Sequence, residues 1–270
     1  MDGESTHKTY YCERTATIAM GIRREAMQNI ILDLCGGTGA WSQPYREAGY
    51  DVRVLTLPEY DVTCIDFNAD SEYLCFSRRE YTGVTFMHMG VETKEYKQVT
   101  QKVCHWHDII GILAAPTCTM FSLARTTAKT PRDFGEGMEL VKACLNIIWR
   151  AREEGGVRFW ALENPMGYLR QFLGKPALTF DPCDYGDTYT KKTDLWGYFK
   201  EPRKSRRALT EDEMLACKMN SRKLPSLPQG YVLPQGWNLT AAKRSMTSAH
   251  FANAFFRANN PLRLKGDGNG

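Results

Sequence analysis

A short apolar segment at residues 30–34 opens directly into a turn that contains three glycines. Branched aliphatic residues in such a run favour a buried strand, and glycines at 36, 37 and 39 allow the tight backbone of a strand-to-helix turn. A helix over 41–48 and a second strand over 49–58 follow. This βαβ pattern predicts a doubly wound α/β domain with a parallel sheet.

Two later strands carry chemically active side chains at their carboxyl ends. The apolar run 108–113 leads into Pro116, Thr117 and Cys118, and the run 157–162 leads into Glu163 and Asn164. An amphipathic helix over 134–152 lies between them, ended by two glycines. Because the carboxyl ends of parallel strands meet at one edge of the sheet, we expect a thiol and a carboxylate there.

The rest of the chain gives weaker signals. Residues 61–108 have poor periodicity and predict an irregular excursion that contains a hairpin, with short strands at 73–76 and 83–89. A loop over 182–197 is expected to enter a final short strand. An amphipathic helix is predicted over 248–259, and a disordered tail over 263–270.

Composition narrows the functional classes. The chain has no secretory signal pattern and no uninterrupted apolar run of about 18 residues, so we expect a cytoplasmic protein without a membrane span. Nine cysteines without a C-x-x-C pair favour free thiols. The cluster Cys104, His105 and His107 is the nearest approach to zinc-ligand spacing, but a polar loop before a strand is the favoured interpretation, so no metal is expected.

Charge is concentrated in one segment. The net charge is +4, and residues 200–223 hold eight Lys or Arg against four acids, so this segment accounts for the whole excess. A basic segment of this kind suits contacts with phosphate groups, and the competing interpretation is a solvated surface loop.

Four motifs in order along the chain resemble those of the DNA cytosine-C5 methyltransferases, in particular compact, phage-like members. The motifs are DLCGGTG at 33–39, APTCTMFS at 115–122, ENP at 163–165 and YGDTYTKKTDLWG at 185–197, with a weaker echo of a C-terminal motif at 244–248. The family's counterparts are DLFxGxG, PPCQxFS, ENV and QxRxR. The resemblance implies a Rossmann-like S-adenosylmethionine-dependent methyltransferase fold with a reduced target-recognition segment.

The resemblance also implies a division of the chain and a set of roles. Residues 1–197 and 244–262 would form the catalytic domain, with the basic segment 198–243 in place of a target-recognition domain. The expected catalytic residues are Cys118, Glu163, Asn164 and Lys191. The expected contacts to S-adenosyl-L-methionine are Cys35, Gly36, Gly37, Thr38, Gly39, Thr56 and Pro116. The expected contacts to substrate DNA are Phe121, Ser122, Thr193, Arg203, Arg206 and Arg207.

In the chemistry that the resemblance implies, the Cys118 thiolate adds to C6 of a flipped-out cytosine so that C5 can accept a methyl group. Glu163 would bind the N3 and N4 edge of the base, and Asn164 would brace its loop. Lys191 would contact O2 of the base or a phosphate. The expected assembly is a monomer acting on DNA in a bacterial or phage-infected cell, in a setting such as restriction-modification.

The sequence departs from the family pattern at several positions. Thr117 and Thr119 flank the cysteine in place of proline and glutamine, and Thr56 ends the second strand where the family carries an acid, with Glu59 or Asp61 as substitutes. Only 46 residues separate Gly197 from Arg244, which predicts short or relaxed sequence specificity. Two alternatives stay open: a catalytically silent protein that binds DNA or a host protein, and the same chemistry on RNA, a nucleotide or with a modified donor.

Overall fold

The computed structural model describes residues 29–88, 91–125, 128–205, 210–219, 226–229, 231, 233 and 239–262. The predicted DNA contacts Arg206 and Arg207 and the predicted tail at 263–270 lie outside these residues. The described strands are β1 (Ile30–Leu34), β2 (Asp51–Leu55), β3 (Tyr73–His88), β4 (Val91–His105), β5 (Ile109–Ala114), β6 (Phe159–Pro165), β7 (Leu178–Phe180) and β8 (Thr193–Tyr198). The described α-helices are α1 (Gln43–Glu47), α2 (Phe134–Glu153), α3 (Arg170–Leu173), α4 (Glu211–Met219), α5 (Leu239–Ser245) and α6 (Ala249–Ala258).

Six strands form one mixed sheet in the order β2-β1-β5-β6-β8-β7. The first four of these are parallel, and β8 is antiparallel to both of its neighbours. The predicted doubly wound α/β architecture is therefore confirmed in its coarse form. Close strand packing depends on Gly111 in β5, where a Cβ would lie 2.4 Å from the ring of Phe159.

Helices and the hairpin root cover the two faces of the sheet, as the alternation of side chains along the strands requires. On one face, α2 and the root of the β3–β4 hairpin pack on the sheet; this layer includes Leu32, Ile112, Val141, Ile147 and Trp106. On the other face, α1 and α6 pack on the sheet; this layer includes Ile31, Leu113, Tyr45, Phe251 and Phe255. Both layers are built from buried aliphatic and aromatic side chains.

The segment predicted as an irregular excursion is a single long hairpin. A hairpin was expected there, but the short strands at 73–76 and 83–89 are wrong: β3 has 16 residues and β4 has 15. The root of the hairpin buries Leu74, Phe76 and Val103, whereas the outer part is exposed on both faces. A strand without a buried face shows no alternation of apolar and polar residues, so the hydrophobic pattern could not predict the lengths of β3 and β4.

Element boundaries differ from the predictions where distant residues pair. The helix predicted over 134–152 is confirmed as α2. Glu163, predicted to follow a strand, lies inside β6, because β8 pairs with residues Glu163 to Pro165. The strand β7 was not predicted.

In the described part of the chain, no helix is both long and apolar enough to cross a membrane.

Candidate active site

One edge of the sheet collects the sequence-predicted site residues. The loops after β1, β2 and β5 leave from this edge, and β8 enters at it because it runs antiparallel. Backbone hydrogen bonds hold the loops together: the amide of Cys35 donates to the carbonyl of Leu55 (2.8 Å), and the amide of Ala115 donates to that of Leu34 (2.9 Å). The glycine turn, Cys118, Glu163 and Lys191 thus belong to one edge, as predicted.

The loop that carries Cys118 is folded around the backbone of the cysteine itself. The carbonyl of Cys118 accepts from the amides of Phe121 (3.0 Å) and Ser122 (2.8 Å). From the neighbouring strand, the buried side chain of Asn164 donates through Nδ2 to the carbonyl of Pro116 (2.9 Å). Asn164 therefore fixes the loop to β6, which agrees with the bracing role expected for it.

A second set of contacts fixes the far end of the same loop. The guanidinium of Arg132 donates to the carbonyls of Met120 (2.8 Å) and Ser122 (2.9 Å). The amide of Tyr168 donates to the carbonyl of Phe121 (2.9 Å), and a Cβ on Gly167 would lie 2.3 Å from that oxygen. These contacts hold the thiol in a fixed position relative to Glu163.

Glu163 and Lys191 form a largely buried ion pair beside the thiol. The Nζ of Lys191 lies 3.5 Å from Oε1 of Glu163, and their side chains are only 20% and 8% exposed. Burial raises the pKa of the half-buried Cys118 thiol. The positive charge of Lys191 opposes that rise, and the negative charge of Glu163 adds to it. The thiol, the carboxylate and the ammonium group thus form one electrostatic cluster.

Asp33, at the end of β1, lies directly against the glycine turn. A Cβ on Gly36 would lie 2.3 Å from the carboxyl group of Asp33, so only glycine fits there. Oδ2 of Asp33 accepts from the hydroxyl of Ser42 (2.6 Å), while Oδ1 has no hydrogen-bond partner among the described residues. Burial raises the pKa of Asp33 from 3.8 to about 6.

The remaining residues expected to contact the cofactor are placed in different ways. Gly37 and Gly39 have positive φ, and a Cβ on Gly37 would lie 3.7 Å from the hydroxyl of Tyr231. Thr38 belongs to the same turn. The Cys35 thiol faces α2, 3.9 Å from the sulfur of Cys144. Only the backbone of Cys35 is thus positioned with the turn.

Two acids, Glu59 and Asp61, follow the end of β2. Thr56 is half-buried, and its carbonyl accepts from the amide of Tyr60 (2.9 Å). The carboxylate of Asp61 caps a short 3-10 helix by accepting from the amide of Thr63 (2.9 Å). Glu59 is exposed, and both acids line a cleft of about 530 Å³ between the end of β2 and the hairpin root.

Two of the predicted DNA contacts, Phe121 and Thr193, are buried in the structure. Phe121 is 0% exposed and packs against Phe134 and Phe172. Thr193 is 1% exposed, and its hydroxyl donates to the carbonyl of Lys191 (2.6 Å). Neither side chain is accessible to a substrate, because both are buried in the packing around the loops.

The other predicted DNA contacts that are described lie at the surface. Ser122 is half-buried, and its hydroxyl accepts from the amide of Ala124 (3.2 Å). Arg203 is exposed, and its neighbour Lys204 forms an ion pair of 3.0 Å with Asp184. The described part of the basic segment therefore presents cations to solvent, one of them already paired.

Sequence reasoning missed several residues that shape the site. Arg132 clamps the thiol loop, and Tyr189 is buried beside Glu163, where burial first and then nearby acids raise its pKa. Arg170 makes two 2.6 Å contacts with the fully buried carboxylate of Asp194 in β8. The sequence pattern does not reveal Arg132 and Arg170, because their partners lie 10 to 24 positions away. Tyr189 lies within the motif at 185–197, but its burial depends on the tertiary structure.

Comparisons with known proteins add no family assignment. No model of a known protein family matches the chain, and no curated protein matches it.

Among the residues that the structure describes, no group of three or more His, Cys, Asp or Glu could hold a metal ion.

Proposed function

We propose that this protein is an S-adenosylmethionine-dependent DNA methyltransferase that forms 5-methylcytosine through a covalent adduct of Cys118. The observation that carries the proposal is the electrostatic cluster of Cys118, Glu163 and Lys191, held at the same sheet edge as the glycine turn. A thiol, a carboxyl group and a cation at one edge are the groups that addition to cytosine C6 requires.

The glycine turn fits the methyl donor that the resemblance implies. S-adenosylmethionine carries a positive charge on sulfur, and when bound it supplies the methyl group for C5. Gly37 and Gly39 have positive φ and lack a Cβ, which lets the backbone of the turn come close to a ligand. The unpartnered Oδ1 of Asp33 lies against this turn, and a cation nearby would favour its ionised form. Gly36, Gly37, Gly39 and Asp33 are therefore the residues expected to hold the donor.

Cys118 supplies the nucleophile in this proposal. Its thiol loses a proton, and the sulfur forms a bond to C6 of cytosine while the C5–C6 double-bond electrons move toward C5. After C5 has gained the methyl group, C5 loses its proton and the sulfur–C6 bond breaks, which releases 5-methylcytosine. Lys191 assists the first step, because its positive charge favours the thiolate.

Glu163 orients the base and stabilises the charge that develops on it. Its carboxyl group would accept a hydrogen bond from the N4 amino group and, in its protonated form, donate one to N3. Because Glu163 lies in β6 and Asn164 in the next position holds the thiol loop, one strand fixes both the nucleophile and the group that binds the base. This common anchor keeps their separation constant.

A duplex substrate must present its cytosine outside the helix. Glu163 is only 6% exposed and Cys118 is half-buried, so a stacked base could not reach both groups. The target base therefore has to be flipped out. The exposed Arg203 and the rest of the basic segment supply phosphate contacts, which add affinity without reading sequence.

The proposal is tested by incubating the protein with labelled S-adenosylmethionine and unmethylated duplex DNA, then sequencing the product for 5-methylcytosine. We expect label at C5 of cytosine with the natural chain and with the control Cys12→Ser, which changes another cysteine of the chain. Cys118→Ser is expected to lose activity. Parallel reactions contain RNA or cytidine nucleotides. No transfer to any substrate, or full transfer by Cys118→Ser, would refute the proposal.

A further inference from the structure

The outer part of the β3–β4 hairpin has no partner in the described part of the chain. A 16-residue strand extends about 50 Å, and only its root is buried against the domain. Beyond the root, five apolar or aromatic side chains are exposed, with values from 40% to 69%: Tyr81, Val84, Phe86, Met87 and Tyr96. An isolated two-stranded ribbon is at best marginally stable in water, so we expect a partner to cover this exposed surface.

The charge of the outer hairpin argues against DNA as that partner. Residues 78–100 hold three glutamates, two lysines and two arginines, so their net charge is only +1, and Arg78 lies 2.7 Å from Glu80. Both lysines are near acids of the hairpin itself: Lys94 lies 3.8 Å from Glu92, and Lys97 lies 3.6 Å from Glu80. A surface that binds phosphates needs a surplus of free cations. The exposed apolar side chains and near-neutral charge suit a protein surface instead.

The outer edge of β4 is complementary to itself. Among the described residues, β4 pairs with no strand other than β3, so its second edge can accept another strand. When two β4 strands are set antiparallel about a two-fold axis at Tyr96, Glu95 of each copy lies opposite Lys97 of the other copy. In such an isologous contact each favourable pair occurs twice.

The same register also joins the aromatic residues. Within one hairpin, Tyr81 is paired with Tyr96, and their ring centroids are 5.8 Å apart. Placing the two Tyr96 residues opposite each other would produce a row of four tyrosines across one face of a four-stranded sheet. Aromatic cross-strand pairs are among those that stabilise sheets.

We propose that the chain forms a homodimer by edge-to-edge pairing of β4 with β4 of a second copy, with Tyr96 at the two-fold axis. This assembly replaces the monomer expected from the sequence. It does not depend on methyl transfer, because Tyr96 and its neighbours Glu95 and Lys97 do not line the candidate active site.

The test exchanges the charges that flank Tyr96. Glu95→Lys gives an edge with two lysines, and Lys97→Glu gives an edge with two glutamates, so each variant places like charges opposite each other in a homodimer. Mixing the two variants restores opposite charges at every position. Sedimentation velocity over about 1 to 100 μM protein measures association, and Arg79→Glu on β3 is the control for charge reversal away from the contact.

The natural chain and the control are expected to dimerise. Each single variant should dimerise about tenfold more weakly or worse, and an equimolar mixture should recover the natural affinity. A natural chain that stays monomeric throughout would overturn the proposal, as would a mixture that associates no better than its components. DNA affinity that rises with Glu95→Lys and falls with Lys97→Glu, without any dimer, would assign the hairpin to DNA instead.

Discussion

Asp33 provides a quantitative test of how the glycine turn is built. Its carboxyl group is fully buried, and burial raises its pKa from 3.8 to about 6. A carboxyl group with a raised pKa in the folded state binds a proton more tightly when the protein is folded. The free energy of unfolding therefore falls as pH rises from about 4 to about 6, and a shift of roughly two units corresponds to about 3 kcal/mol.

Asp33→Asn should remove this component of the pH dependence. The amide oxygen can still accept from the hydroxyl of Ser42, and the side chain keeps its size beside Gly36. Below about pH 4 the variant and the natural chain should have similar stability. At pH 7 the variant should be more stable by up to about 3 kcal/mol, because it carries no buried charge.

Urea unfolding followed by tryptophan fluorescence at several pH values between 4 and 7 measures the difference. Glu59→Gln, a change at an exposed carboxyl group, is the control and should leave the profile unchanged. If the stabilities of Asp33→Asn and the natural chain differ by the same amount at every pH, the burial of an ionisable Asp33 is refuted. Added S-adenosylmethionine should protect the natural chain against urea more than it protects the Asn variant.

Three further changes test the packing of the sheet, the electrostatics of Cys118 and the anchoring of its loop. Gly111→Ala forces a methyl group into the ring of Phe159 and should destabilise the fold by about 1–3 kcal/mol, measured by thermal unfolding. Lys191→Gln removes the charge that opposes the raised pKa of Cys118, so the pH profile of thiol alkylation by iodoacetamide should move to higher pH; an unchanged profile would contradict the cluster. Asn164→Ala leaves a buried carbonyl unpaired and should cost about 1–3 kcal/mol in denaturant unfolding, whereas an unaltered midpoint would show that the thiol loop needs no clamp.

The sequence predicted those parts of the fold in which burial imposes a pattern. The apolar runs of β1 and β5 and the periodicity of α2 were sufficient, because each of these elements has a face inside the domain. The same reasoning predicted that Cys118 and Glu163 lie at one edge of the sheet. It failed for the outer hairpin, whose two faces are exposed, and for β7, a three-residue strand that is defined by its pairing with β8.

Roles within the site required the tertiary structure. Phe121 and Thr193 were expected to contact DNA, but exposure depends on what packs over a residue, and both are covered. The clamp from Arg132 to the thiol loop joins segments that have no fixed spacing. The buried carboxyl group of Asp33 likewise contacts Ser42, the residue that precedes α1, and this contact cannot be read from the immediate neighbours of Asp33 in sequence.

Covalent capture of Cys118 by its substrate tests the central claim most directly. Fluorine at C5 of cytosine cannot leave as the C5 proton does, so a duplex that contains 5-fluorocytosine should trap the adduct after methyl transfer. With S-adenosylmethionine present, we expect a protein–DNA complex that survives denaturing electrophoresis, with peptide mapping that places the link at Cys118, and no complex with Cys118→Ser. The absence of any such complex, or a complex that persists in Cys118→Ser, would contradict the proposed mechanism.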